Sequence, residues 1–254
     1  MKAAAALRNI GPPAVAIALF LLAWEAVVRA AWFPPYLFPG PLAVAAAMRD
    51  DASVVASHAL STFGIAVVGF ACGGAVGLAV AFALHLSATM RRALAPLLIL
   101  SQNVPTIVLA PLLVVWFGFG WAPKLVLLTM VCFFPIAIST LDGLARADRN
   151  MVGYMRMAGA TRWQTFRKLE LPWSLPSMFS GLKVAAAYSV LGAVISEWVG
   201  ASRGLGVYLN LMKSGFQVDR MFVAIAVIAA LSLFMFALVV GVERRVVRWH
   251  LGRG

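Results

Sequence analysis

The chain has 254 residues, 63% of them hydrophobic and 12% charged, with a formal net charge of +12. A soluble domain averages about 45–50% apolar and roughly 25% charged residues, so one core cannot absorb this much apolar surface and lipid must solvate much of the chain. The basic residues fall in the gaps between apolar blocks, which is the placement of a membrane protein and argues against a nucleic-acid partner. The expected class is an all-α membrane protein with about six transmembrane helices.

Lys2 and Arg8 precede an apolar run over residues 10–28. A signal peptide also places charge before apolar residues, but this run is long and residues 25–32 offer no small-residue cleavage site. A retained first span over 10–30 is expected. Residues 33–41 read FPPYLFPGP, and prolines at that density exclude a helix. A surface helix over 43–57 follows, because Arg49, Asp50 and Asp51 at its middle make a poor span. The second span, 58–86, carries Gly69, Gly73 and Gly77 at intervals of four. That face either admits a close neighbouring helix or belongs to a glycine-rich helix without a particular partner. Cys72 and Cys132 lie inside apolar blocks, where cysteine is a small packing residue, and no disulfide or metal site is implied.

The third span, 93–117, is interrupted by Pro96, Pro105 and Pro111 and contains Ser101, Gln102 and Asn103. Polar groups at membrane depth must face protein or water, so the cluster either lines a translocation path or makes helix-to-helix hydrogen bonds. After a turn at 118–121, Pro123 suits the first turn of a fourth span over 123–141. A polar loop over 142–176 comes next. A fifth span over 177–199 holds Glu197 near its end, a carboxyl group that must be wet, paired or turned toward a path. Residues 200–219 form a loop in which Gly204 and Gly206 mark a turn. The sixth span is 221–243, and Arg244, Arg245, Arg248 and Arg253 follow it.

With six spans, one side holds both termini, Arg91, Arg92, Lys183 and the loop 142–176, which together carry fifteen basic residues against six on the other. That asymmetry places both termini and the loop in the cytoplasm. The loop contains Arg146, Arg149, Arg156, Arg162, Arg167 and Lys168, and Gly159 lies between two short helical patterns. In the second pattern Trp163, Phe166 and Leu169, spaced by three, share one face. Gly159 can take a positive φ and turn the chain sharply, and Pro172 and Pro176 are expected to end the pattern. Periodicity alone is equally satisfied by a helix lying in lipid headgroups.

Gly159, nine residues, Leu169, one residue and then Leu171-Pro172 resembles the cytoplasmic "EAA loop" of permease subunits of type I binding-protein-dependent ABC importers. The EAA positions are occupied here by Gly153, Tyr154 and Met155, so the acidic residue often found in that loop is missing. The resemblance extends from about Pro39 to Glu243. It implies the type I permease fold and a cytoplasmic coupling-helix loop in which Gly153, Tyr154, Met155, Ala158, Gly159, Ala160, Trp163, Phe166, Leu169, Leu171 and Pro172 contact a pair of ATPase subunits. It further implies a periplasmic or lipid-anchored substrate-binding protein, a second permease copy in a homodimer, and residence in the bacterial inner membrane. ATP and Mg²⁺ would be bound by the partner, since the chain contains no G-x-x-x-x-G-K-[ST] stretch.

Within that family, Pro39, Pro41 and Val44 resemble a P-x-P-x-x-V stretch of the nitrate, sulfonate and taurine branch. Residues 181–209, GLKVAAAYSVLGAVISEWVGASRGLGVYL, and residues 219–225 look like permeases for thiamine-precursor pyrimidines, with alkanesulfonate, nitrate, taurine and riboflavin permeases near. A membrane-embedded enzyme and a passive channel are the rival classes. Neither HExxH nor GxSxG occurs, and the spans offer few charges to ring a pore.

Overall fold

The structure is a computed structural model and describes residues 2–30, 34, 36–102 and 105–247. The described residues fold into helices joined by short turns, with no strand among them. In chain order the helices are α1 (Lys2–Arg29), α2 (Pro41–Asp50), α3 (Ala52–Leu86), α4 (Ala88–Gln102), α5 (Thr106–Phe117), α6 (Trp121–Ala145), α7 (Arg149–Met157), α8 (Arg162–Thr165), α9 (Leu171–Glu197), α10 (Leu205–Ser214) and α11 (Val218–Val246), with a π-helical turn over Phe166–Glu170. Among the described residues four stretches are long and apolar enough to cross a membrane: α3, α6, the continuous helix from Arg162 to Glu197, and α11.

The elements depart from the sequence reading in four places. The expected surface helix over 43–57 is cut at Asp51, whose backbone (φ −101°, ψ 13°) closes α2 and opens α3. The expected third span is two helices. Pro96 and Pro111 lie inside α4 and α5, while Pro105, in extended conformation, caps α5. The loop over 200–219 contains a full helix, α10, that its glycines concealed. Finally, Pro172 and Pro176 do not end the loop pattern. Pro172 sits in the first turn of α9 and Pro176 inside it, and helix runs from Arg162 onward without a stop. The π turn explains the continuity: Leu171 N–H bonds to Phe166 O five residues back, so the ladder widens immediately before a residue with no N–H to give it.

The core is a three-helix contact of α3, α6 and α9, with α11 laid on α9. Ile65, Ala66, Leu128, Ala186, Val190 and Ala193 are buried together at its centre. Lipid tails are as apolar as leucine, so helices in a bilayer associate through close van der Waals contact. The glycines supply that contact. Gly69, Gly73 and Gly77 of α3 face Leu128, Cys132 and Phe133 of α6; a Cβ on Gly73 would stand 2.5 Å from Cys132 Cβ, and one on Gly77 would stand 2.7 Å from Phe133 O. The α6–α9 crossing is similar, since a Cβ on Gly181 would lie 2.6 Å from Pro135 O. Lys183 is part of α9, not of a flanking loop, and its Nζ meets Glu243 of α11 at 3.0 Å.

This packing separates two glycines of one helix. Gly64, also in α3, has open space where its Cβ would go. Gly73→Ala is expected to lower the thermal midpoint of the detergent-purified protein, whereas Gly64→Ala leaves it unchanged or raises it. Equal midpoints for the two variants would show that the α3–α6 contact is not close.

Candidate functional site

The loop between α6 and α9 begins with a capped helix: Asp148 accepts a hydrogen bond from Asn150 N–H at 2.8 Å and starts α7. Gly159 ends it at φ +77°, where a side chain would be strained. Gly159 N–H bonds to Arg156 O and Ala160 N–H to Met155 O, the paired bonds that close a helix around a left-handed glycine. Thr161 then opens α8 with a reciprocal cap, its hydroxyl accepting from Gln164 N–H while Gln164 Oε1 accepts from Thr161 N–H. Two short helices are thus joined through Gly159 and Ala160, with nearly every terminal group at the joint satisfied.

Trp163, Phe166 and Leu169 do not form one outward face. Phe166 is only 3% exposed, with its ring against Phe82 at 5.4 Å and His85 at 6.0 Å, both in the last turns of α3. Trp163 leans on Phe166 at 5.4 Å and stays 57% exposed, and Leu169 is half-buried. Phe166 is buried by its packing on α3, and the π turn that begins there rotates only the following Leu169 away from a spacing of three. The outward apolar surface lies on α7 instead, where Met151, Tyr154 and Met157 are exposed. Of the positions matched to EAA, Tyr154 is thus exposed and Gly153 and Met155 are half-buried; Ala158 is exposed and Ala160, Leu171 and Pro172 are half-buried.

Beside Phe166 sits a polar lock that the sequence did not announce. Glu170, buried, receives Arg162 Nη1–H at 2.6 Å on one oxygen, and His85 Nε2 lies 2.7 Å from the other. Arg162 Nη2 also donates to the His85 carbonyl at 3.3 Å. Glu170, eleven residues past Gly159, thus binds the loop to the end of α3.

At the opposite end of the bundle Glu197 closes a second lock. It is 1% exposed, neither wet nor open to a path along this chain. Thr62 Oγ1 donates to its Oε1 at 2.8 Å and accepts from Leu205 N–H at 2.8 Å, while Gly206 N–H donates to Oε2 at 2.9 Å. His58 Nδ1 lies 3.0 Å from Gly204 N. The glycines read as a turn also make room. Gly204 adopts φ +137°, and a Cβ there would collide with the Glu197 carboxyl. The carboxyl group faces the first N–H groups of α10, where a negative partner is favoured. Nearby, Tyr208 donates to Asp51 Oδ2 at 2.8 Å, and Arg220 Nε meets the same oxygen at 2.9 Å. Burial, and after it the bond to Asp51 and that residue's charge, push the Tyr208 hydroxyl well above the usual phenol range.

Of the other polar positions singled out, Ser101 and Gln102 fall in the last turn of α4, and Asn103 lies outside the described residues. No group of three His, Cys, Asp or Glu able to hold a metal ion occurs among the described residues.

A bundle of apolar helices with a short-helix loop locked to one end is a membrane permease architecture, and the comparisons with known proteins agree. Residues 73–248 match the family of binding-protein-dependent transport system inner membrane components, and the chain belongs to that family. It is 32% identical to the formylaminopyrimidine transport permease protein ThiX of Halalkalibacterium halodurans, over 94% of this chain and 95% of that one. Against the riboflavin transport system permease protein RibX of Chloroflexus aurantiacus it is 32% identical, over 93% of this chain and 89% of the relative. In fold it is similar to an inward-facing structure of the MetNI methionine ABC transporter, with a TM-score of 0.68 and 21% identity, covering 78% of this chain and 98% of that one. The protein is accordingly a permease subunit of an ABC importer.

Removing the Glu197 carboxyl would strand the buried Gly206 N–H and leave the Thr62 hydroxyl only its longer bond to His58 O at 3.2 Å. Glu197→Ala is expected to cost about 3 kcal/mol of stability, read as a lowered thermal midpoint. An unchanged midpoint with impaired uptake would instead put Glu197 in the translocation path.

Proposed function

We propose that α7, Gly159 and α8 form the docking surface for a pair of ATP-hydrolysing subunits on the cytoplasmic side, and that this coupling drives import of a thiamine-precursor pyrimidine. The observation that carries the coupling role is the division of labour within the loop. Met151, Tyr154, Met157 and Trp163 stay exposed, while Phe166 and the Arg162–Glu170–His85 lock fasten the same segment to α3. A force applied to the exposed residues is delivered to α3 through the lock and to α9 through unbroken helix. In this reading the partner binds ATP and Mg²⁺, a periplasmic or lipid-anchored protein delivers the substrate, and a second copy of this chain completes the path, with both termini cytoplasmic. Rocking of the paired bundles then alternates access to a site near the bilayer midplane. Ser101 and Gln102 at the end of α4, with Asn103 next in sequence, are the proposed stretch of the path, because polar groups at membrane depth must face protein or water.

Full-length similarity to a permease named for formylaminopyrimidine supports the substrate class. Uptake of a labelled formylaminopyrimidine by cells carrying this chain and its partners is expected to exceed uptake of riboflavin, taurine or an alkanesulfonate. Preferential uptake of one of those reassigns the substrate.

Truncating interface anchors costs about 2 kcal/mol or more, roughly 30-fold in affinity. The paired change Met151→Ala and Tyr154→Ala should therefore reduce ATPase co-purified with the chain from inside-out vesicles, while Lys168→Gln leaves recovery unchanged. Equal recovery from both would sink the docking assignment, and recovery only from right-side-out vesicles would invert the orientation.

A further inference from the structure

α7 has a second face, opposite the exposed one. Arg149, Val152, Gly153 and Arg156, at positions i, i+3, i+4 and i+7, turn toward the ends of α3 and α6 and close a cavity of about 610 Å³. Arg91 from α4 and Arg162 from α8 reach the same space. Four arginines, each with solvent access, therefore line one open cavity. Among the described residues the single carboxylate in its lining is Glu170, and that group is already committed to Arg162 and His85. Asp148, next to Arg149 in sequence, is occupied in capping α7, and Asp142 lines a separate cleft with Arg146. Among the described residues Arg91, Arg149 and Arg156 have no ion pair.

Like charges converging on one cavity repel one another, and an anion between them removes the repulsion. The planar fork of arginine matches phosphate oxygens in pairs. The position along the bundle points to the same chemistry. The lining includes Leu84, His85 and Leu86, the last turn of the long apolar helix α3. The cavity therefore sits where apolar helix gives way to polar loop, at the depth of lipid phosphates, and basic pockets at that depth between membrane helices suit anionic headgroups.

We propose that this cavity binds a phosphate-bearing anion, supplied by the headgroup of an anionic phospholipid or by a soluble phosphate compound. Its occupant would neutralise the arginines that face α3 across the cavity and so fix the height of α7 above the bundle, leaving Met151 and Tyr154 free. The proposal rests on the docking reading only for that last consequence; the binding site itself stands on the cavity and its charges.

The test is titration of the detergent-purified full chain at low ionic strength with short-chain phosphatidylglycerol, short-chain phosphatidylcholine and orthophosphate. Phosphatidylglycerol, orthophosphate or both should bind above the phosphatidylcholine control. Binding of the lipid alone identifies the headgroup as the source, orthophosphate alone identifies a soluble anion, and binding of both shows a phosphate site open to either. Arg149→Gln with Arg156→Gln should weaken that binding at least ten-fold. Arg167→Gln with Lys168→Gln, which removes two exposed charges outside the cavity, should leave it unchanged. Thermal midpoints of both double variants keep loss of fold separate from loss of binding. Wild-type binding no stronger than the phosphatidylcholine control, or equal weakening in the two double variants, overturns the proposal. The assay contains no ATPase, so a negative result leaves the docking assignment standing, and loss of docking in the Tyr154 variant leaves a positive result here standing.

Discussion

Helices that pack in lipid gain almost nothing from excluding it, so their attachment depends on how near two backbones can come. In this permease the constraint is met by glycine at the crossings. Gly69, Gly73 and Gly77 admit α6, and Gly143 and Gly181 admit α9 to α6, leaving no room for a methyl group at any of these contacts. The positions of every other functional element follow from that three-helix core. α7 and α8 hang from the far ends of α6 and α9, and α10 is folded back over the other end.

Short-range packing of this kind fixes the middle of the bundle but leaves its ends free to splay. Two buried carboxyl groups close them. α3 and α9 run in opposite directions, and Glu197 ties the beginning of α3, at His58 and Thr62, to the end of α9 and the start of α10. Glu170 ties the end of α3, at His85, to the helix that becomes α9. Each lock is satisfied by hydrogen bonds from more than one element, as a carboxyl group removed from water requires. They differ in what they hold. The Glu197 lock is enclosed by backbone N–H groups and glycines. The Glu170 lock has a half-exposed arginine as one member and borders a cavity rich in unpaired positive charge, so it is the end better placed to respond to a ligand or partner.

The parts legible in sequence were those set by nearest neighbours along the chain. Apolar blocks announced the long helices, Gly159 announced a sharp turn between two short helical patterns, and the spacing of Gly69, Gly73 and Gly77 announced a bare face. Contacts over long separation were illegible. Thr62 and Glu197 are 135 residues apart, His85 and Glu170 85 apart, and no periodicity connects them. Trp163 and Phe166 do lie together, but Phe166 packs inward on the end of α3, and Leu169 falls in the π turn that begins at Phe166. α10 was missed as well: Gly204 and Gly206 signalled a turn correctly, but they also make room for Glu197, and the helix begins among them.

That π turn has a mechanical meaning. Because the ladder widens instead of breaking ahead of Pro172, the 36 residues from Arg162 to Glu197 form one rod, about 54 Å long at 1.5 Å per residue. The hydrocarbon core is about 30 Å thick. One end of the rod lies in the loop and the other is pinned by Glu197, with the α6 crossing at Gly181 between them. A beam braced along its length converts a small sideways load on its loop end into tilt, and Arg162 and Trp163, coupled to α3 through Glu170 and Phe166, sit at that end. In such a beam the response is set by the position of the brace, so relocating the crossing along α9 would change the stroke of the rod without touching either of its ends.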